Sequence, residues 1–153
     1  FGVVTSPVTG HEEVSVFPVR SIRDTFVAGY KFWEYKNRII PLKELADVPL
    51  ICLEKNTSTR RYMDQFLKAS GVLVHPEIEL ATSDMIVQFA KRNLGVASVV
   101  YDFAREALES GELFELKIQK KIPERSICIV QGSHATLSSA AQKLIELIRE
   151  DIS

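Results

Sequence analysis

The sequence has little of what would mark a stapled domain, a membrane anchor or a prebuilt catalytic centre. Only two of its 153 residues are Cys, and both Cys52 and Cys128 sit inside apolar runs, ICL and ICIV, with no CxxC spacing. A disulfide framework or thiolate metal site is therefore not expected; two buried, reduced thiols in a reducing cytoplasm are. No apolar run approaches the roughly 20 residues that span a bilayer, and the opening FGVVTSPV has neither a basic leader nor a long apolar stretch, so no membrane association is expected. Charge of one sign is also missing. Nineteen basic residues face twenty acidic ones for a formal net charge of -1, and no Lys/Arg stripe forms, which argues against nucleic-acid binding by this segment itself.

Chemistry is just as sparse. The seven Gly fall into neither GxGxxG nor GxxxxGK[ST], so no phosphate-cradling loop is present, and no GxSxG elbow presents a nucleophile. His11, His75 and His134 all lie in loop-like stretches and read as surface histidines. The acidic pairs Glu12-Glu13, Glu77/Glu79 and Glu106/Glu109 lie on element surfaces without metal-ligand spacing. No catalytic residue, metal or cofactor is assigned, and the chain is not expected to be an enzyme.

What is there is alternation. Phe1 to Thr5 reads as an apolar strand stopped by Ser6-Pro7; Val14 to Arg20 and Asp24 to Tyr30 read as neighbouring strands, with Pro18 marking an edge. PLKELADVP has room for one or two helical turns before the strand Leu50 to Leu53. From there strand, polar turn, amphipathic helix and Gly succeed one another, which is α/β organisation. In RRYMDQFLKAS, Met63, Phe66 and Leu67 fall on one face before Gly71; Ser83 is placed to cap DMIVQFAKRN, whose Ile86, Phe89, Ala90 and Leu94 line a face before Gly95. VASVV is the next strand, Phe103 to Ser110 a short helix ended by Gly111, and Leu113 to Ile118 and Ser126 to Val130 are strands. Leu137, Ala141, Leu144, Ile145 and Ile148 mark a last helix capped by Ser138 or Ser139. The chain starts without Met and directly on a strand-like run, and reads as a fragment.

One segment carries a binding mechanism. Asn56-Thr57-Ser58-Thr59-Arg60 joins a buried strand to a helix start, where unpaired backbone N–H groups and the positive end of the helix dipole favour an anion and hydroxyls can complete its shell. One of those hydroxyls is needed as the helix cap in any case. Thr5-Ser6 and Thr82-Ser83 end or open elements in the same manner, and open α/β sheets take ligands at such strand ends.

In order along the chain, FGVVTSP, VFPVRSIRDTFVAGY, PLKELADVPLICLEKNTSTRRYMDQFL, IELATSDMIVQFAKRNLGVASVV, ALESGELFEL and LSSAAQKLIELI resemble the C-terminal part of the effector-binding domain of LysR-type transcriptional regulators. The resemblance covers nearly the whole chain. It implies an α/β fold of the type II periplasmic-binding-protein kind, with two Rossmann-like lobes around a ligand cleft and the first lobe incomplete. Residues 1–7 would be hinge strand and end of the first lobe, 8–107 the second lobe, and 108–153 the return to the first. Carried over, Thr5 matches a cleft hydroxyl with Ser6 adjoining it, Thr57, Ser58 and Thr59 match the polar turn opposite, and Thr82 lies near a further cleft position, with Ala81 its competitor. The helix with Met85, Gln88, Phe89 and Arg92 resembles the one that packs antiparallel on a partner subunit, while Ile86 and Ala90 read as interior. KFWEYKNR departs from the family pattern; Trp33 and Tyr35 are expected in the core rather than at the lobe's edge. The function implied is sensing of a small anionic or polar metabolite in a cytoplasmic bacterial regulator. It would act as a homodimer or tetramer, with DNA bound through an N-terminal winged helix-turn-helix outside this chain. The rival is a solute-binding protein of a transport system with the same fold.

Overall fold

Strands β5 (Leu50–Leu53) and β7 (Val96–Val100) are buried at every position because each is covered on both faces. They belong to a five-stranded sheet of order β6-β5-β7-β3-β8, with β3 at Asp24–Ala28, β6 at Ile78–Leu80 and β8 at Phe114–Glu115. Here β5 runs parallel to both β6 and β7, whereas β3 is antiparallel to β7 and β8. Side chains alternate between two cores. Leu50, Cys52, Phe26 and Val96 face Met63, Phe66 and Leu67 of helix α1 (Ser58–Ala69). Ile51, Leu53, Val27 and Ala97 face Ile86, Val87 and Ala90 of α2 (Ser83–Lys91), and Ala104 and Ala107 of α3 (Tyr101–Glu109). A sheet buried on both sides is the setting in which strands lose the polar half of their alternation.

The computed structural model describes residues 1–8, 13–132 and 136–150, and packing divides them into two compact units. The sheet above lies in the central unit, Arg23–Pro123. This unit also holds two 3-10 segments, Tyr30–Tyr35, kinked at Phe32, and Leu42–Ala46, and the small parallel pair β4 (Ile39–Ile40) and β9 (Lys117–Ile118). The outer unit comprises Phe1–Ile22 and Glu124–Ser153. Its antiparallel sheet has the order β1-β10-β2, from Gly2–Thr5, Arg125–Gly132 and Val14–Ile22, and α4 spans Ser139–Glu150. As Pro18 suggested, β2 is an edge strand. The register slips opposite Ile127/Cys128, where Arg20 and Pro18 are successive partners, so Val19 is the extra residue of a bulge beside the proline.

Several single elements differ from expectation. By packing the units change after Ile22 and after Pro123, and β2 ladders with β10 within the outer unit. The stretch read as a strand to Tyr30 stops at Ala28 and turns into the first 3-10 segment, and Leu113 to Ile118 is two short strands broken at Leu116. Phe32 enters the core in place of Trp33. Trp33 is 53% exposed; its ring lies edge-on to Phe114 at 5.7 Å and carries the Lys36 Nζ 3.7 Å above it, while Tyr35 packs partly against the core. Both Cys52 and Cys128 are free and buried, and Ser138 caps α4 by accepting from the Ala141 N–H at 3.2 Å.

Helix ends follow from local chemistry. Gly71 adopts φ +74° and closes α1, with Val72 N donating to Leu67 O at 2.9 Å and Gly71 N to Lys68 O at 2.9 Å. At α2 the left-handed residue is Asn93 (φ 60°) rather than Gly95, with Leu94 N donating to Phe89 O. Gly95 is required for a different reason. A Cβ there would lie 2.5 Å from the Pro49 carbonyl oxygen, so only glycine lets the starts of β5 and β7 approach.

Candidate functional site

The carboxyl ends of β5, β6 and β7 share one end of the central sheet, and each is followed by a helix, α1, α2 or α3. Parallel strands followed by helices make this end the place where helix N-termini and connecting loops collect. The Glu54 N–H donates to the Leu80 carbonyl at 3.1 Å, which ties the turn before α1 to the end of β6. The hydroxyl turn 57–59 and Thr82 are thereby brought to the same end.

Each hydroxyl singled out from the sequence has a definite place. Thr57 is extended (φ -82°, ψ 146°) and caps α1: its Oγ1 accepts from the Arg60 N–H at 3.2 Å and donates to the Glu54 carbonyl at 2.9 Å. Ser58 is exposed and Thr59 half-buried, both in the first turn. Thr82, not Ser83, caps α2, because Thr82 is the last extended residue (φ -131°, ψ 149°) and its Oγ1 accepts from the Met85 N–H at 3.4 Å, while Ser83 is already helical. In the outer unit, Thr5 Oγ1 accepts from Nη1 of the buried Arg125 at 3.4 Å. Ser6 extends the β1–β10 ladder: its N–H donates to the Ser126 carbonyl and its Oγ accepts from the Ser126 N–H, both at 2.7 Å. Of the histidines, His75 is exposed, while His11 and His134 lie outside the described residues.

Two groups escaped the sequence reading. Arg60 sits in the first turn of α1, where an arginine looks like a surface charge, yet its side chain is only 4% exposed. Its Nη1 donates to the Leu53 carbonyl at 2.9 Å and to Glu79 at 2.9 Å, and its Nε donates to both oxygens of Asp64 at 2.9 and 3.0 Å. Burial works to lower its pKa, but the hydrogen bonds it donates to Asp64 and Glu79 prevail and hold it above the ordinary value. One cation thus clamps the end of β5, the middle of β6 and α1, and so fixes the hydroxyl turn. The available signal was spacing: Arg60, Met63 and Leu67 recur at helical intervals on the buried face.

The second group lies by the start of β3. Arg23 donates from Nη1 and Nη2 to the two carboxylate oxygens of Glu115, both at 3.0 Å, and its guanidinium carbon stands 3.9 Å from the centroid of the Tyr101 ring. The Glu115 hydrogen bond raises the Arg23 pKa against a smaller loss from burial.

On α2 and its C-terminal end, Met85, Gln88 and Arg92 form an exposed row, whereas Phe89 is half-buried against the core formed by Ile86 and Ala90. Buried Cys52 has its thiol pushed up to about 12, mainly by burial. No helix among the described residues is long and apolar enough to cross a membrane, and among them no three His, Cys, Asp or Glu side chains are grouped to hold a metal ion.

Comparison with solved structures places this architecture. The chain is similar to the regulatory domain of CcmR from Synechocystis PCC6803 in complex with 2-PG, with TM-score 0.84, 19% identity, and coverage of 99% of this chain and 72% of that one. It is similar to the effector binding domain of QuiR in complex with shikimate, with TM-score 0.78, 14% identity, and coverage of 99% and 72%. The regulatory domain of CrgA, a LysR-type transcriptional regulator from Neisseria meningitidis, matches with TM-score 0.72, 11% identity, and coverage of 99% and 75%. Identities this low show the fold alone. The comparison with curated proteins finds no match. A family model described as the LysR substrate binding domain matches residues 1–153, the whole chain, which therefore belongs to that family of LysR-type regulator effector-binding domains.

Proposed function

We propose that this domain senses a small anionic or polar metabolite in the cytoplasm and thereby controls DNA binding by a winged helix-turn-helix carried elsewhere in the protein. In this reading residues 8–107 form the second lobe, and residues 1–7 and 108–153 belong to the first. The residues proposed for effector recognition are Thr57, Ser58, Thr59 and Thr82, together with Thr5 and Ser6. The observation that carries the reading is the first turn of α1 at the carboxyl end of the parallel strands, held there by buried Arg60. The exposed row Met85, Gln88 and Arg92, with Phe89 at its margin, is the proposed contact with a second subunit of a homodimer or tetramer. Regulation requires the effector to bind one conformation of the regulator more tightly than another, since equal affinity shifts nothing.

The test uses the complete regulator. Thermal shift with a panel of small anions, beginning with the 2-PG and shikimate held by the two similar domains, identifies an effector. Titration of Ser58→Ala and Thr5→Val follows. Each is expected to weaken binding by about tenfold, the loss of one hydrogen bond to a charged ligand, with the fold retained. Unchanged affinity in both variants overturns the site, and an effector that leaves operator affinity unchanged overturns the regulatory role.

A further inference from the structure

A pocket of about 320 Å³ opens beside α1, on the side of the helix that faces the chain leading into β6. Its size is within the range of about 300–1,000 Å³ usual for small-molecule sites. None of the effector hydroxyls lines it. One wall is a helical stripe of Arg60, Asp64, Leu67 and Lys68, at spacings that stack on one face of α1. The other wall is apolar, with Val72, Val74 and Pro76 from the segment that α1 releases at Gly71.

We infer that this pocket is a second ligand site, for a small amphipathic carboxylate, independent of the effector-binding turn. The charge balance selects the headgroup. Buried Arg60 is already matched by Asp64 and Glu79, whose carboxylates accept from it at 2.9 to 3.0 Å. Lys55 and Lys68 remain at the rim, and among the described residues neither has an ion pair. Three Lys and Arg side chains against two carboxylates leave an excess of one positive charge among these five groups, which a monoanion neutralises. The apolar wall selects the body. Leu67 and Val72 are buried at its base, while Leu73 is 70% exposed at the mouth, so an alkyl or aryl group seated there would cover apolar surface that now faces water. Lysine suits this role because its flexible stem lets the ammonium follow a carboxylate.

Hexanoate is the probe and hexylamine its charge-reversed control, titrated into the complete regulator with amide chemical shifts read by NMR. Hexanoate is expected to produce saturable shifts at the amides of Lys68, Leu73, Val74 and His75, and hexylamine none. Lys68→Ala and Leu73→Ser, both at exposed positions, are each expected to weaken hexanoate by about tenfold. Equal shifts with hexylamine, shifts that never saturate, or hexanoate shifts confined to Ser58 and Thr59 would each overturn the assignment. The last of these results would leave the effector turn standing as an anion site, and loss of the effector turn in its own test leaves this pocket untouched.

Discussion

The two compact units spend their apolar residues differently. In the central unit Val27, Ile51, Ile86, Val96 and Ala97 are wholly buried, because helices cover both faces of its sheet. Among the described residues of the outer unit the buried apolar positions are Ile22, Cys128, Ile129 and Ala141, while Phe1, Val3, Val16, Phe17, Leu144 and Leu147 are 40% exposed or more. Similar residue types thus have different consequences. Apolar strands stabilise where something covers them, and the sheet of the central unit is covered on both faces.

Breaking the centre should cost most. Ile51→Ala is expected to lose about 4 kcal/mol in chemical denaturation, since the fully enclosed site cannot collapse around the missing carbons. By contrast, Val3→Ala at a 56% exposed position should change stability by less than about 0.5 kcal/mol. A comparable loss in both would abolish the distinction. Next in size is Arg60→Met, expected to cost about 3 kcal/mol because it leaves the Leu53 carbonyl without this donor and sets Asp64 and Glu79 near each other without their cation.

The buried thiol sharpens the comparison by pH. Folded Cys52 stays neutral up to about 12, while the unfolded thiol ionises from its ordinary 9.0. Between those values the unfolded state binds fewer protons, so stability falls with rising pH, by about 1.4 kcal/mol per unit from this group. Below 9.0 the contribution is fully present. Cys52→Ala should flatten the alkaline limb relative to the parent, whatever it does to stability at neutral pH, and identical slopes would contradict the burial.

The smallest effect is also the most local. Thr57→Ala and Thr82→Ala should each cost about 1 kcal/mol as lost caps, with Ser83→Ala costing clearly less. A larger loss at Ser83 would return the cap to the position first expected.

These contrasts follow how the sequence could be read. LICL and VASVV announced buried strands, and Met63, Phe66 and Leu67 announced α1, because burial imposes a period that needs no knowledge of distant partners. The cap of α2 was displaced by one residue because Thr82 and Ser83 offer the same hydroxyl, and only backbone conformation chooses between them. The segment 30–40 was opaque for a different reason: its 3-10 turns and the short β4 are set by packing of Phe32 and Ile40 into the core, not by a local period. Arg60 was invisible as a strut since its partners at Leu53 and Glu79 are brought together only by the β5–β6 ladder. The hydroxyls at the strand ends were legible as residues, but their capping duties were assigned by geometry.

The pairing of β2 with β10 also sets an order of events during synthesis. β2 leaves the ribosome before any residue of the central unit, yet the strand it ladders with is made only after that unit is complete. During elongation its hydrogen-bonding edge and its exposed Val16 and Phe17 must wait without their partner, while the centre can close on contacts already translated. The proline and bulge in β2 interrupt that waiting edge, making it a poor template for another nascent chain.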